Sequence, residues 1–438
     1  MRNAISFPKN GLIITKLIFF SLKNCPNHWS KRNINAYRIA KETGLDKTYL
    51  SKLSSGAIAK PGKDKLIKIA QALDIELEQL QKVFSEPEMV VQEFGLENIQ
   101  LNSPQVITPR QDWGSAPDRI VCYERSTEIN TIKEWIEEQD CRLVTLFGLG
   151  GIGKTTVAME IARQLKSEFD YVFWRTVSDV SLIEIIVQDA LRLFNHKKPP
   201  ITITQQITKL LQYLQSHRCL LILDGIETIL GTGNSLQPYQ NGYQAYGELL
   251  RQVAQKQHQS CLLLVSNEKP RDIAIWESTS ASIHSYQLQG SIKVGYRILA
   301  DKQIPQSSAW DELISAYQGH PLALKIVATL INELFNGDVS QFLRQNTLFL
   351  GDLQFILHQQ YQRLSDNEKN ILNTIAETDK PLSLQELTAR YVTQLRSSEI
   401  MDCLNSLKRR SLLEIEEKNQ LNFYSIQPVV RKYIKSQS

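Results

Sequence analysis

The sequence predicts a multidomain α/β plus α protein, built on a parallel sheet with helices on both faces. An all-helical domain is expected ahead of that sheet, and a helical domain and a winged-helix domain behind it. Three observations carry this expectation. Between residues 143 and 266, continuous apolar runs of strand length alternate with 3.6-periodic segments. A basic segment near the N-terminus has the spacing of two helices crossed at a glycine turn. The C-terminal stretch reads as several helices followed by an extended hairpin. The expected boundaries are an N-terminal extension at 1–30, a helix-turn-helix domain at 31–84 and a linker at 85–117. The sheet domain follows at 118–290, then a helical domain at 291–362 and the winged helix at 363–438.

A chain of 438 residues is too long for one core, and 42% hydrophobic with 22% charged residues excludes wholesale disorder. The net charge is only +4, so any nucleic-acid binding must come from a local patch. Six cysteines are scattered without a C-x-x-C pair, which fits a reducing, cytoplasmic setting and argues against a zinc or disulfide frame. Cys219 and Cys261 lie in strand-like runs, where a thiol packs as a small hydrophobe. The apolar stretch Leu12 to Phe20 is interrupted by Lys16, is too short to span a bilayer and lacks a small-residue cleavage site. It reads either as a short packing helix or as the product of a start codon placed too early.

Residues 31–83 carry eleven Lys or Arg against six Asp or Glu. Within them Ala40 is small enough for a close helix crossing, Gly44 supplies the turn, and Ile39, Leu45, Leu50 and Leu53 point to a shared core. Asp46 can cap the second helix. Lys47, Thr48, Ser51 and Lys52 then fall on the outer face, the one a recognition helix offers to the major groove of duplex DNA. Leu66, Ile69, Ala70 and Leu73 mark a further amphipathic helix, and Leu77, Leu80 and Val83 a shorter one. The stretch resembles the lambda-repressor-like (Cro/C1, XRE) DNA-binding domains, except that Cys25-Pro26-Asn27 interrupts any continuous first helix. A helical protein–protein module is the alternative reading. From Ser85 to Asp118 the periodicity ends among Pro87, Pro104, Pro109 and Pro117, with Trp113 placed to anchor this linker against the next domain.

Leu143 to Phe147 is a continuous apolar run, and Gly148-Leu149-Gly150-Gly151-Ile152-Gly153-Lys154-Thr155 after it satisfies G-x-x-x-x-G-K-[ST] at every fixed position. Val157, Ile161 and Leu165 then mark one helix face. Glycines let successive N–H groups converge on an anion, and the helix N-terminus adds partial positive charge. Lys154 would bridge β- and γ-phosphates, and Thr155 would ligate Mg²⁺. This is a P-loop NTPase signature. Tyr171 to Val177 reads as a second strand, Leu182–Leu193 and Ile207–Leu214 as helices, and Cys219 to Asp224 as a strand ending in the carboxylate that holds Mg²⁺. Glu227 is the nearest carboxylate that could orient an attacking water; otherwise it faces solvent. The loop from Gly231 to Gly242 is polar and expected to be mobile. A fourth strand spans Ser260 to Ser266.

The ordered set Arg142–Thr156, Tyr171–Val177, Leu220–Glu227, Leu264–Pro270 and Gly319-His320-Pro321-Leu322-Ala323-Leu324 resembles the NB-ARC switch proteins of bacterial, cyanobacterial-looking type. These belong to the STAND branch of the AAA+-like ATPases. The resemblance implies a switch that is closed with ADP and open with ATP, with self-association in the ATP state and slow or no hydrolysis. It implies that Gly148, Gly150, Gly151, Ile152, Gly153, Lys154, Thr155 and Thr156 form the phosphate site. Asp224 would hold Mg²⁺, Pro321 would contact adenosine, and Val121 and Arg125 would lie in the adenine-contacting segment.

Departures from the family pattern are specific. Glu124 replaces the usual Gly before the arginine, Gly225 replaces the catalytic carboxylate after Asp224, and Asn267 replaces the sensor arginine. Arg175 either substitutes as sensor or is a surface charge. His320 is either a phosphate ligand or incidental to the loop.

Behind the sheet, helices are expected at Trp310–Tyr317, Pro321–Leu334, Val339–Arg344 and Leu353–Leu364, then at Asn367–Ile375, Leu384–Tyr391 and Ser398–Arg409. A hairpin over Leu412–Phe423, tipped by Lys418-Asn419, and a last helix from Pro428 to Ile434 complete a winged helix. The family's Met-His-Asp motif falls on Ile426-Gln427-Pro428, so Gln427 takes the place of the histidine that contacts the ADP β-phosphate. No 20–50-residue period appears, so sensing is expected in the linker and winged helix, in a partner, or in a part lost from a truncated product. The function expected from all this is an ADP/ATP-gated switch with a DNA-binding output, a transcriptional or stress/defence regulator. The alternative is a nucleotide-driven oligomerising scaffold whose first domain binds protein. A fast ATPase is disfavoured by Gly225 and Asn267.

Overall fold

The computed structural model describes residues 110–437 apart from 119–120, 179–180, 195–199, 234–236 and 379, and, ahead of them, 43–45, 62–73 and 77–78. The chain divides into two compact units, Met1–Ile107 and Thr108–Ser438. In the first, Gly44 has φ +65°, the left-handed turn expected of it. Helix α1 (Lys63–Leu73) buries Leu66, Ile69 and Ala70 on one face, as the periodicity predicts. Lys47, Thr48, Ser51 and Lys52 lie outside the described residues, as does the extension 1–30.

The second unit begins with a six-stranded parallel sheet ordered β1-β3-β4-β5-β2-β6. Its strands are β1 (Arg110–Asp112), β2 (Leu143–Phe147), β3 (Tyr171–Thr176), β4 (Cys219–Asp224), β5 (Cys261–Ser266) and β6 (Ile283–Gln287). The apolar runs are continuous because both faces are covered, and alternate residues feed different cores. Leu221, Leu223, Leu262 and Leu264 join one cluster, while Leu220, Ile222, Leu263 and Val265 join the other. Cys219 and Cys261 are buried free thiols on the strands, as expected. Helices α2 (Ser126–Glu137) and α3 (Lys154–Leu165) cover one face. Helices α4 (Ile183–Leu193), α5 (Ile203–Ser216) and α6 (Gln244–Gln255) cover the other, joined by Ile273 of the short α7 (Arg271–Glu277).

Two strands escaped the sequence pattern. β1 lies inside the expected linker and reads Arg-Gln-Asp, with no apolar residue to announce it. It is an edge strand, held by pairing with β3 and by the ion pair of Asp112 with Arg175 at 2.7 Å. β6 is the opposite edge, and its His284, Ser285 and Gln287 dilute the apolar signal. Trp113 does pack against the sheet domain's core, as expected. The 231–242 loop is not free along its described length. Tyr239 is buried, Gly231 N–H donates to Pro238 O, and Gly233 N–H donates to Arg363 O.

The remainder is helical: α8 (Ile292–Asp301), α9 (Ala309–Ala316), α10 (Pro321–Phe335), α11 (Val339–Leu343) and α12 (Leu353–Gln362). Then follow α13 (Asp366–Glu377), β7 (Leu382–Ser383), α14 (Leu384–Arg390), α15 (Ser397–Arg409), β8 (Glu414–Lys418), β9 (Leu421–Ser425) and α16 (Pro428–Lys435). Capping boxes at Ser365–Glu368 and Ser383–Glu386 fix where α13 and α14 begin. The hairpin β8–β9 turns at Asn419 and Gln420, both with positive φ, and β9 also pairs with β7 to complete the wing. One continuous apolar core runs through these helices, and it includes Leu149 of the glycine loop. Among the described residues, no helix is long and apolar enough to cross a membrane.

Candidate phosphate-binding site

In a parallel sheet, ligands lie beyond the carboxyl ends of the strands, where the chain order reverses. Here β2 sits between β5 and β6 while the chain proceeds to β3, which β4 and β5 separate from β2. The glycine loop leaves β2 at this point. Gly151 (φ +80°) and Gly153 (φ +102°) occupy backbone conformations that side chains resist, and Gly153 sits at the start of α3. At Gly151 a Cβ would also meet the Leu322 Cβ at 2.9 Å.

A cavity of about 330 Å³ opens above the loop, within the range of small-ligand sites. Gly151 to Val157 form its floor, and Asp224, Glu227, Ser266 and Asn267 form the end at the strand tips. Val121, Tyr123 and Arg125 line one wall; Val294, Ile298, Pro321 and Lys325 line the other. Most of the predicted site is therefore assembled: Val121, Arg125, Gly151, Ile152, Gly153, Lys154, Thr155, Thr156, Asp224, Glu227 and Pro321 all line it. Lys325 was missed from sequence, although it lies one turn after Pro321 and shares its helix face.

The charged groups are tightly arranged. Lys154 Nζ donates to Gly148 O and Leu149 O, each at 3.0 Å, and to Asn267 Oδ1 at 2.7 Å. Burial pulls its ammonium down to about 8, against the opposing attraction of Glu227 and Asp224. Thr155 Oγ1 donates to Asp224 Oδ2 at 2.9 Å. Burial pushes the Asp224 carboxyl up to about 6, although the Thr155 hydrogen bond opposes the shift. Glu227 lies on the turn after β4, and its Oε2 accepts the Asn267 N–H at 3.1 Å. Arg125, buried at the start of α2, donates to Glu128 Oε1 and to Gln289 O. Glu124 before it has φ +44°, a conformation that costs a non-glycine residue about 1 kcal/mol. That is the physical reason a glycine suits this position.

Several expectations are corrected. Gly148 and Gly150 do not line the cavity. A Cβ at Gly148 would strike Leu288 O at 2.5 Å, and one at Gly150 would strike Ile356 Cγ2 at 2.3 Å, so packing requires these glycines. Gln427 is not at the cavity either; it caps α16 and its side chain bonds to Glu414. His320 is no phosphate ligand. It is buried, its Nδ1 accepts from Ala323 N–H at 3.2 Å, and its Nε2 therefore carries the hydrogen toward Gly150 O at 3.0 Å. Burial holds this imidazole down at about 4, so it is neutral. Arg175 is neither sensor nor free surface charge: it pairs with Asp112 and Asp189 and stacks over Phe173. Gly225 has φ +89°, and a Cβ there would meet Val177 O at 2.8 Å, so a carboxylate cannot simply be restored at this position.

Comparison with known proteins agrees with this geometry. Residues 125–232 match the family described as NB-ARC domain, and residues 31–80 match the family described as helix-turn-helix. An uncharacterized WD repeat-containing protein of Nostoc sp. is 38% identical over 343 residues. That alignment spans 74% of this chain but only 27% of the relative. The disease resistance protein RPV1 of Vitis rotundifolia is 22% identical over 257 residues, 55% of this chain and 17% of its own length. The chain thus spans about a quarter or less of these relatives. A STAND protein with a tetratricopeptide repeat sensor from Pyrococcus horikoshii aligns at a TM-score of 0.35 and 15% identity. It covers 75% of this chain and 44% of its own, and nothing below rests on it. The sequence motifs and the family matches converge on the same residues: 125–232 carry an NB-ARC domain, a nucleotide-binding P-loop unit, and 31–80 carry a helix-turn-helix segment ahead of it in the sequence.

Proposed function

We propose that the cavity binds ADP or ATP with Mg²⁺, and that the chain is a slow or non-hydrolysing switch whose output is the helix-turn-helix segment. The contact of Thr155 Oγ1 with Asp224 Oδ2 at 2.9 Å carries the proposal. It places two hard oxygen ligands together beside a buried lysine at the end of β4. Mg²⁺ commonly takes one or two protein oxygens and completes its shell with water and substrate phosphates. These residues fit that ion, and bound Mg²⁺ would neutralise the phosphates held against them. Lys154 and the N–H groups at the start of α3 would hold the β- and γ-phosphates. The adenosine would lie between Val121 and Tyr123 on one side and Val294, Ile298 and Pro321 on the other.

Slow turnover is supported by the residues around the γ-phosphate position. Gly225 offers no carboxylate, Glu227 is engaged by a backbone amide, and Asn267 brings an uncharged amide to Lys154. A single-turnover rate below about one per second is expected.

The test is a titration with a fluorescent adenine nucleotide, with and without Mg²⁺, at pH 7.5 and pH 5. Asp224 must be ionised to hold the cation. The gain in affinity from Mg²⁺ should therefore be present at pH 7.5 and lost as pH falls through about 6. A gain of equal size at pH 5 would contradict the role of Asp224. The output is tested by binding the full chain to duplex DNA in ADP and in ATPγS. Affinity that differs between the two nucleotides and falls steeply with salt supports the DNA output. Self-association without DNA affinity favours the scaffold.

A further inference from the structure

We infer that the last turn of α12 relays the state of the phosphate loop to the winged-helix domain, with Gln360 and Arg363 as its two positioning residues. The inference rests on the nucleotide reading above and assigns it a path that does not pass through Gln427.

One arm starts at the loop itself. Leu149 is 1% exposed and belongs to the core of the C-terminal helices rather than to that of the sheet. Gln360 Oε1 accepts the Gly150 N–H at 3.2 Å, while His320 holds the carbonyl of the same residue. One residue of the loop is thus gripped by both α12 and the start of α10. The other arm starts at Lys154. Its acceptor Asn267 is followed directly by Glu268, which is 5% exposed. Glu268 accepts from Arg363 at 2.6 Å and from Arg410, just past α15, at 2.7 Å. Arg363 also donates to Leu230 O, beyond β4, and its carbonyl holds Gly233 N–H.

Gln360 and Arg363 lie three residues apart, so both arms converge on one helical turn. That turn is tied onward to α16 by His358 Nδ1 against the Tyr433 hydroxyl at 2.9 Å and by the edge-to-face rings of Tyr361 and Tyr433.

Phosphate oxygens compete for the same Lys154 ammonium that Asn267 accepts from. Drawing Lys154 toward a γ-phosphate releases Asn267 and shifts the segment that carries Glu268. Buried, closely packed ion pairs respond by re-pairing rather than by stretching, which makes the junction two-state.

The experiment uses the full chain as wild type and in two variants: Gln360→Met, which keeps the volume and removes the acceptor, and Gln360→Glu, which keeps the acceptor. Affinity for a fluorescent ADP is measured first. Hydrogen exchange over residues 397–437 is then compared between ADP and ATPγS. The expected result is wild-type binding, with an exchange difference between the two nucleotides. Gln360→Met should bind within threefold of wild type but lose at least four-fifths of that difference, and Gln360→Glu should retain it. Gln360→Met with an undiminished difference, or a wild type that binds but shows no difference, overturns the relay and leaves the nucleotide reading standing. A larger loss of binding in Gln360→Met makes Gln360 an ordinary site residue and also overturns the relay. A wild type that binds no nucleotide overturns the reading beneath it.

Discussion

Replacing Lys154 with Met is expected to lower adenine-nucleotide affinity at least about 100-fold while leaving the chain folded. The ammonium would make charge-assisted hydrogen bonds to two phosphates, each worth roughly 1.5–3 kcal/mol, so their loss lies above about 3 kcal/mol. Folding is not threatened in the same way, because the buried ammonium is itself unfavourable. Its folded value of about 8 lies below the ordinary 10.5. Between those two values the unfolded chain binds more protons, so wild-type stability rises with pH across that window. In Lys154→Met this rise should be absent. Nucleotide titration and thermal denaturation from pH 7.5 to 10 check both parts. A variant that binds normally would remove Lys154 from the site.

Arg410→Met is expected to be the most destabilising single change at the junction between the nucleotide domain and the winged helix. Arg410 is buried between Glu268 at 2.7 Å and Glu368 at 3.7 Å, and Glu368 is fully buried. Its removal leaves Glu268 with Arg363 as its one remaining ion pair within 4 Å among the described residues, and Glu368 with the Ser365 contacts at its other oxygen. Breaking a buried pair in this way costs about 3–5 kcal/mol, because an uncompensated charge is left in a dry site. Adding Glu268→Gln to Arg410→Met should cost less than the sum of the two single changes, since the two residues share one network. Urea denaturation of the four proteins provides the cycle. Additive effects would show that the cluster is not a unit.

Much of this molecule was legible before folding was considered. The glycine loop, β2, β4, β5 and the face Val157, Ile161 and Leu165 follow from local pattern alone, because both faces of a parallel sheet demand unbroken apolar strands. The helices and hairpin of the winged helix follow likewise from capping and turn residues. β1 and β6 were not legible, because edge strands need cover on fewer sides and can be polar. Lys47, Thr48, Ser51 and Lys52 lie outside the described residues and keep the standing the sequence assigns them.

The roles of single side chains divide in the same way. Lys154, Thr155 and Asp224 take their places from local geometry at a loop and a strand end, and all three line the cavity that their spacing leads one to expect. Arg175, His320 and Gln427 owe their roles to partners on other elements, such as Asp112, 63 residues from Arg175, and Gly150, 170 residues from His320. No local pattern carries that information. The same holds for Gln360, which meets Gly150 across 210 residues of sequence. By itself the sequence determined that the glycine loop exists, which helix follows it and which strand-end carboxylate lies against it. Only the tertiary structure decided what holds that loop, because the grip comes from helices whose approach is set by the packing of a separate core.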